Sequence, residues 1–204
     1  MLTRLACVVL LTNLVTGAQT TAGKFNRALS IGDDAPAWVE LPGTDGNKHA
    51  LADLNDKDVV VVVFTCNSCD YAAAYEDRLI AFAKKHAGSE GKVTVVAINV
   101  NTIADDRLDK MKERAKEKEF PFAYLFDESQ KIGKLYGATY TPEFFVLNKS
   151  RKVAYTGAMD DRSPPGEPKL HYLENAVEAV LNGEQQKIAE TQARGCRIRY
   201  VKPR

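Results

Sequence analysis

Apolar positions along this chain recur with two periods, and the changes of period mark out its elements. Val59 to Phe64 is an unbroken apolar run rich in β-branched residues. So short a run predicts a strand buried on both faces. The run breaks at Thr65-Cys66-Asn67-Ser68-Cys69. Beyond it Ala72, Tyr75, Leu79, Phe82, Ala83 and His86 recur at steps of three and four, the spacing of one helix face. Gly88 and Gly91 mark that helix's end. Val93 to Val100 is a second buried strand. A strand, a helix and a strand with no room for a hairpin predict a parallel βαβ unit.

The flanking segments extend the pattern. Trp38 to Leu41 and Lys48 to Leu51 bracket Pro42-Gly43-Thr44-Asp45-Gly46-Asn47, which predicts a hairpin with Trp38 packed in it. Leu51 to Leu54 reads as a helical turn. Asp105 and Asp106 are expected to cap a helix running to about Lys118, with Leu108, Met111 and Ala115 inward. Phe122 to Phe126 reads as a short strand, and Ser129 to Tyr136 as a short helix closed by Gly137. Pro142 stands at the mouth of Glu143 to Leu147, which suits a strand's first residue. Asn148 to Arg151 then turns the chain into Lys152 to Thr156, an antiparallel partner. Asp160, Asp161 and Arg162 precede a proline-rich loop, Arg162 to Pro168. They either line a cleft or form a solvated turn, and composition favours the turn. Leu170 to Leu181 is the last helix, with Leu173, Val177, Val180 and Leu181 on one face. Cys196, Ile198 and Tyr200 alternate with arginines, which predicts a strand-like tail pressed on the body with Cys196 facing inward. The divisions are a flexible lead at 19–30, one α/β domain at 31–183 and a packed tail at 184–204.

Composition adds one domain's worth of apolar material: 204 residues, 45% hydrophobic and 27% charged. Net charge is +1 with the signs mixed, which points to no nucleic-acid partner. Met1 to Ala18 is expected to be a cleaved signal peptide, with Arg4 in its n-region, Leu5 to Val15 as the apolar stretch and Thr16-Gly17-Ala18 as the cleavage site. The stretch is too short to span a bilayer. A periplasmic or secreted protein follows from this. Cleavage would remove Cys7 and leave three of the four cysteines, an odd number for an oxidising compartment.

Cys66 and Cys69 carry the chemistry. They fall where a buried strand ends and a helix begins, and a helix's first turn has unpaired N–H groups and about half a positive charge. Thiols in a Cys-x-x-Cys commonly titrate at about 3.5–7.5 rather than about 8.5. Cys66 is expected to be the exposed nucleophile, and Cys69 the thiol that resolves a mixed disulfide at Cys66. Half of a zinc site and a structural disulfide are the other uses of such a pair. Zinc usually needs four ligands, and His49, His86, His171 and Cys196 are scattered along the chain. Cys196 is either a buried inert thiol or a third redox cysteine.

Cys66-Asn67-Ser68-Cys69 followed by Tyr75-Glu76-Asp77-Arg78 resembles the active site of thioredoxin-like proteins, in particular extracytoplasmic redoxins related to alkyl hydroperoxide reductase and thiol-specific antioxidant proteins. The resemblance runs from about Ile31 to Tyr200, and Gly195-Cys196-Arg197-Ile198 resembles these proteins' carboxyl end. It implies a thioredoxin-like fold, a central mixed sheet flanked by helices with an amino-terminal hairpin and a carboxyl-terminal tail. It implies that the Thr141-Pro142 bond is cis, that Pro142 packs on the cysteine pair, and that the Thr141 backbone pairs with an extended substrate. The implied activity is thiol–disulfide oxidoreduction. It requires no cofactor or metal, because a dithiol carries two electrons itself. The implied partners are protein thiols or disulfides and an upstream electron donor or acceptor. Many relatives have proline after the second cysteine, where this chain has Asp70. A peroxiredoxin-like peroxidase is the alternative enzyme. Those proteins carry Pro and Thr seven and three residues before the peroxidatic cysteine, positions held here by Val59 and Val63 for Cys66, and by Val62 and Cys66 for Cys69. A copper-handling module on this fold typically needs cysteines spaced by three residues plus a histidine, and this pair has two residues between.

Overall fold

The computed structural model describes residues 23–87 and 91–201. Met1 to Ala18, Cys7 and Gly88 lie outside them. In chain order the elements are β1 (Leu41–Pro42), β2 (Lys48–His49), β3 (Val59–Phe64), α1 (Asp70–Ala87), β4 (Val93–Asn99), α2 (Leu108–Glu117), β5 (Ala123–Phe126), α3 (Lys131–Tyr136), β6 (Tyr140–Thr141), β7 (Glu143–Leu147), β8 (Val153–Gly157), α4 (Tyr172–Leu181) and β9 (Cys196–Arg197). Two turns of 3-10 helix stand at Leu51–Leu54 and Ala104–Asp106.

A five-stranded sheet in the order β5-β4-β3-β7-β8 forms the centre. β3 is its middle strand, parallel to β4 and antiparallel to β7. All six β3 residues are fully buried, because neighbours cover both edges and both faces. Side chains alternate across a strand, so β3 feeds two cores. Val59, Val61 and Val63 meet Leu79, Phe82, Met111, Leu173 and Val177 from α1, α2 and α4. Val60, Val62 and Phe64 meet Trp38, Leu51, Ile132 and Tyr136 on the other face. Phe64 packs edge-on against Phe145 at 5.7 Å between centroids and tilted against Tyr136 at 5.3 Å. Trp38 is core, as expected. The expected inward face of α1 is buried from Ala72 to His86.

Irregular segments cover the sheet's edges, where unpaired backbone groups would otherwise invite strand addition. The hairpin β1–β2 lies along β5, with Gly43 bridging Leu125 and the Thr44 N–H donating to the Tyr124 carbonyl at 3.0 Å. On β8, Val153 exchanges hydrogen bonds with residues 32 and 33, and Thr156 with residues 189 and 191.

Away from the cysteines, three expectations are corrected. Within the expected flexible lead, Asn26 and Leu29 are buried, and Asn26 donates to the Tyr136 carbonyl at 2.7 Å and accepts the Ala28 and Leu29 N–H groups. Leu181 is exposed rather than inward. Asp160 does not belong to a solvated turn. It is 5% exposed and accepts the Tyr75 hydroxyl at 2.9 Å and Arg78 Nη1 at 2.8 Å, both from α1.

Candidate active site

The site forms where β3 ends. Thr65 prolongs the sheet pairing, its N–H donating to the Ile98 carbonyl at 3.0 Å, and Cys66 to Cys69 then turn the chain into α1. Asp106 shapes that turn. Its carboxyl accepts the Asn67 N–H at 2.7 Å, the Ser68 N–H at 3.1 Å and the Ser68 hydroxyl at 2.5 Å. The expectation that Asp106 caps α2 is therefore corrected: Arg107 stands at that cap without a side-chain bond, while Asp106 is fully buried under the cysteine turn. Asn67 is anchored twice more, donating to the Asp105 carbonyl at 2.9 Å and accepting from the Tyr124 hydroxyl at 3.0 Å. Burial, then the nearby Cys66 and Asp106, push the Tyr124 phenol well up, so it keeps the proton it donates. Asp106 and Tyr124 were missed as site residues. Their signal was position, after the carboxyl end of β4 and within β5, on the rim where loops of a parallel sheet gather.

Residues from the far side of the sequence complete the site. The Thr141-Pro142 bond is cis. The Thr141 hydroxyl lies 3.4 Å from Cys66 Sγ, and its carbonyl oxygen 3.1 Å from Cys69 Sγ. Pro142 lines a small apolar cavity with Cys66, Tyr75, Tyr124 and Phe144. Cys66 and Cys69 are 3% and 1% exposed, so the expected exposure of Cys66 is corrected. Both are free thiols.

The two sulfurs titrate together, one proton leaving well below the ordinary thiol range and the other held well above it by the first charge and by burial. The hydrogen-bond geometry locates the proton that stays. A carbonyl oxygen only accepts, so Thr141 O needs the Cys69 proton. A Cys69 thiolate would face it lone pair to lone pair. Cys66 has two hydroxyls able to donate to it, from Thr141 and from Ser68 at 3.8 Å. The pair titrates as a unit with one easily lost proton, and these contacts favour the thiolate on Cys66. Of the helix N–H groups expected to serve Cys66, that of Ala72 donates instead to Cys69 Sγ at 3.4 Å.

Cys196 belongs to this cluster. β9 pairs antiparallel with β6, setting Cys196 opposite Thr141, the residue whose carbonyl accepts from Cys69 Sγ at 3.1 Å, and the Cys69 and Cys196 thiols perturb each other's titration. The expected inward orientation is corrected, because Cys196 is exposed while Ile198 is buried. The Thr141 edge, expected to receive a substrate strand, is occupied by the chain's own tail. Tyr75-Glu76-Asp77-Arg78 braces the surroundings. Glu76 takes Arg114 through two bonds at 2.9 and 2.7 Å, and Arg78 reaches Asp160 and the Arg162 and Gly166 carbonyls. Among the described residues no group of three or more His, Cys, Asp or Glu is placed to hold a metal.

Residues 31–156 match the AhpC/TSA family. This chain belongs to the AhpC/TSA family. The protein is similar to a hypothetical protein of Sinorhizobium meliloti 1021, at 31% identity over 86% of this chain and 97% of that one, with a TM-score of 0.79. An uncharacterized conserved protein of Geobacillus kaustophilus shares 29% identity over 88% and 96% of the two chains, with a TM-score of 0.80. A candidate thiol:disulfide interchange protein, DsbE, of Chlorobium tepidum matches over 75% of this chain and 99% of its own with a TM-score of 0.61. Its 23% identity speaks for the thioredoxin-like fold alone. Among curated proteins none matches. The membership, with the mixed sheet and its helices, makes this AhpC/TSA protein a redoxin-type oxidoreductase of thioredoxin-like fold.

Proposed function

We propose that this protein is a thiol–disulfide oxidoreductase acting through Cys66 and Cys69, in the periplasm or outside the cell. The observation that carries the reading is the setting of both sulfurs against Thr141, one on its hydroxyl and the other on its carbonyl. In the reducing direction, the Cys66 thiolate attacks one sulfur of a partner disulfide. That S–S bond breaks, and the departing sulfur takes a proton. Cys69 gives up its proton and attacks Cys66 Sγ, the mixed disulfide breaks, and the second partner thiol leaves. Two electrons pass from the dithiol to the partner, so no further carrier is needed. Pro142 and Thr141 shape the wall against which the partner's sulfur must lie. Protein thiols or disulfides and an upstream electron donor or acceptor are the partners this chemistry calls for. The apolar stretch of Met1 to Ala18 supports export, and no helix among the described residues is long and apolar enough to cross a membrane.

The reading is tested by insulin reduction with a small dithiol as regenerant. Wild-type turnover, its loss in Cys66→Ser and accumulation of mixed disulfides in Cys69→Ser are the expected results. Full turnover by Cys66→Ser would overturn it.

A further inference from the structure

Three cysteines meet in this fold, yet a two-cysteine exchange uses only two of them. Cys69 is the central sulfur of the three. Cys66 and Cys196 each perturb its titration, and the Thr141 residue whose carbonyl accepts from its Sγ at 3.1 Å stands opposite Cys196. Cys196 is held there by several features at once. β9 pairs with β6 so that Cys196 stands opposite Thr141. The Ile198 N–H donates to the Thr139 carbonyl at 3.0 Å and fixes the register, and the buried Ile198 side chain anchors the strand in the second core. β9 also lies against α1. Gly195 lets the strand come close: a Cβ there would lie 2.0 Å from the Thr141 carbonyl oxygen. The accessibility is uneven. The pair is nearly sealed, whereas Cys196 is exposed.

We propose that Cys196 is a third redox thiol that exchanges with Cys69 and so carries the disulfide between the sealed Cys66–Cys69 pair and the protein surface. This rests on the reading of Cys66 and Cys69 as a redox pair. The exchange balances internally. The Cys196 thiolate, its proton lost to water, attacks Cys69 Sγ. The Cys69–Cys196 bond forms as the Cys66–Cys69 bond breaks, and Cys66 leaves as a thiolate with the Thr141 and Ser68 hydroxyls in place to receive its charge. One disulfide replaces another, and no net oxidant or reductant is consumed. A protein-sized reductant then attacks the exposed Cys196 sulfur, and Cys69 departs as the thiol. β9 occupies the edge at which a substrate strand would pair, so Cys196 stands where an incoming cysteine would stand.

The decisive experiment is peptide mapping after acid quench. Cys66→Ser and Cys66→Ala, oxidised with diamide, should lose about 2 Da as monomers, with Cys69 linked to Cys196, because disulfide formation removes two hydrogens. Wild-type protein in a glutathione buffer should yield Cys69–Cys196 peptides beside Cys66–Cys69 peptides, an arm that does not depend on a variant folding. Cys196→Ser should slow reduction by thioredoxin about tenfold more than reduction by dithiothreitol, since a tethered thiol acts at high effective concentration. If wild type forms Cys66–Cys69 but Cys69 and Cys196 never link, the relay is overturned and the redox pair stands. If wild type forms no internal disulfide, both fall.

Discussion

The two halves of this site are built in opposite ways. One half, Phe64 to Tyr75, is local: a strand, a turn and a helix contiguous in sequence, with the cysteines fixed at the junction by a fully buried strand on one side and an amphipathic helix on the other. The other half, Thr141-Pro142 and Gly195-Cys196, is brought together from chain positions far apart, by a two-residue strand pairing at the rim. The local half has an interior to hold it. The distant half has Thr141 and Pro142 buried at the mouth of β7 and, on the tail, Ile198, joined by a two-residue ladder. The first therefore sets whether there is a redox pair at all, and the second sets how the pair is reached.

Substitutions that break this contrast divide by size. The largest effect is expected in the local half. Cys66→Ser should abolish turnover, and Phe64→Ala, which empties the contact with Tyr136 and Phe145, should cost about 3–5 kcal/mol in urea unfolding. Next comes Asp106→Ala. It strips acceptors from the Asn67 and Ser68 N–H groups and the Ser68 hydroxyl, and charge-assisted bonds of this kind contribute about 1.5–3 kcal/mol each without adding fully. A loss of about 2–4 kcal/mol is expected, with faster alkylation of Cys69 as the turn loosens. If stability holds and only exchange rates change, Asp106 acts on the sulfurs and does not shape the turn.

Gly195→Ala addresses the distant half. Its methyl would meet the Thr141 carbonyl, and overpacking of this kind costs about 1–3 kcal/mol. Cys196 should be freed from Cys69 while the Cys66–Cys69 disulfide still forms, as thiol labelling of Cys196 against time would register. Equal loss of both links would mean that the halves fold as one unit.

The smallest effect concerns pH. Glu143, buried at the start of β7, accepts the Thr139 and Tyr140 N–H groups at 2.8 and 3.1 Å. Burial still leaves its carboxyl above the usual 4.5. The folded state thus binds this proton more tightly than the unfolded chain does. Its contribution to stability is full below the unfolded pKa and is lost as pH rises through the raised value. Glu143→Gln should flatten that decline, seen as a smaller drop in urea midpoint on going from pH 4 to about pH 8. An unchanged slope would place the pH dependence elsewhere.

What the sequence disclosed follows the same division. The apolar run at Val59 to Phe64 and the helical spacing after Cys69 are local periodicities, and the structure keeps them. Met111 was legible as core for the same reason, and Trp38 as a large aromatic beside a predicted hairpin. Asp106 was misplaced because Asp after a strand and before a helix is also the signature of a cap, and nothing local says that its carboxyl turns back toward residues 67 and 68. Asp160 was misjudged because its partners, Tyr75 and Arg78, lie on α1. Cys196 combined a correct strand-like alternation with a wrong facing. A strand lying on a rim can contact a buried sulfur while its own side chain remains open to solvent.

The central claim is that Cys66 and Cys69 form a reversible two-electron couple. Equilibrating the protein across glutathione buffers and mapping linked peptides at each ratio measures this directly. The expected result is a Cys66–Cys69 peptide that appears with one midpoint, its ratio changing tenfold per about 30 mV, somewhere between about −270 mV, typical of thioredoxin, and about −120 mV, typical of a strong oxidant. Cys66 and Cys69 remaining free thiols at every buffer ratio would contradict it.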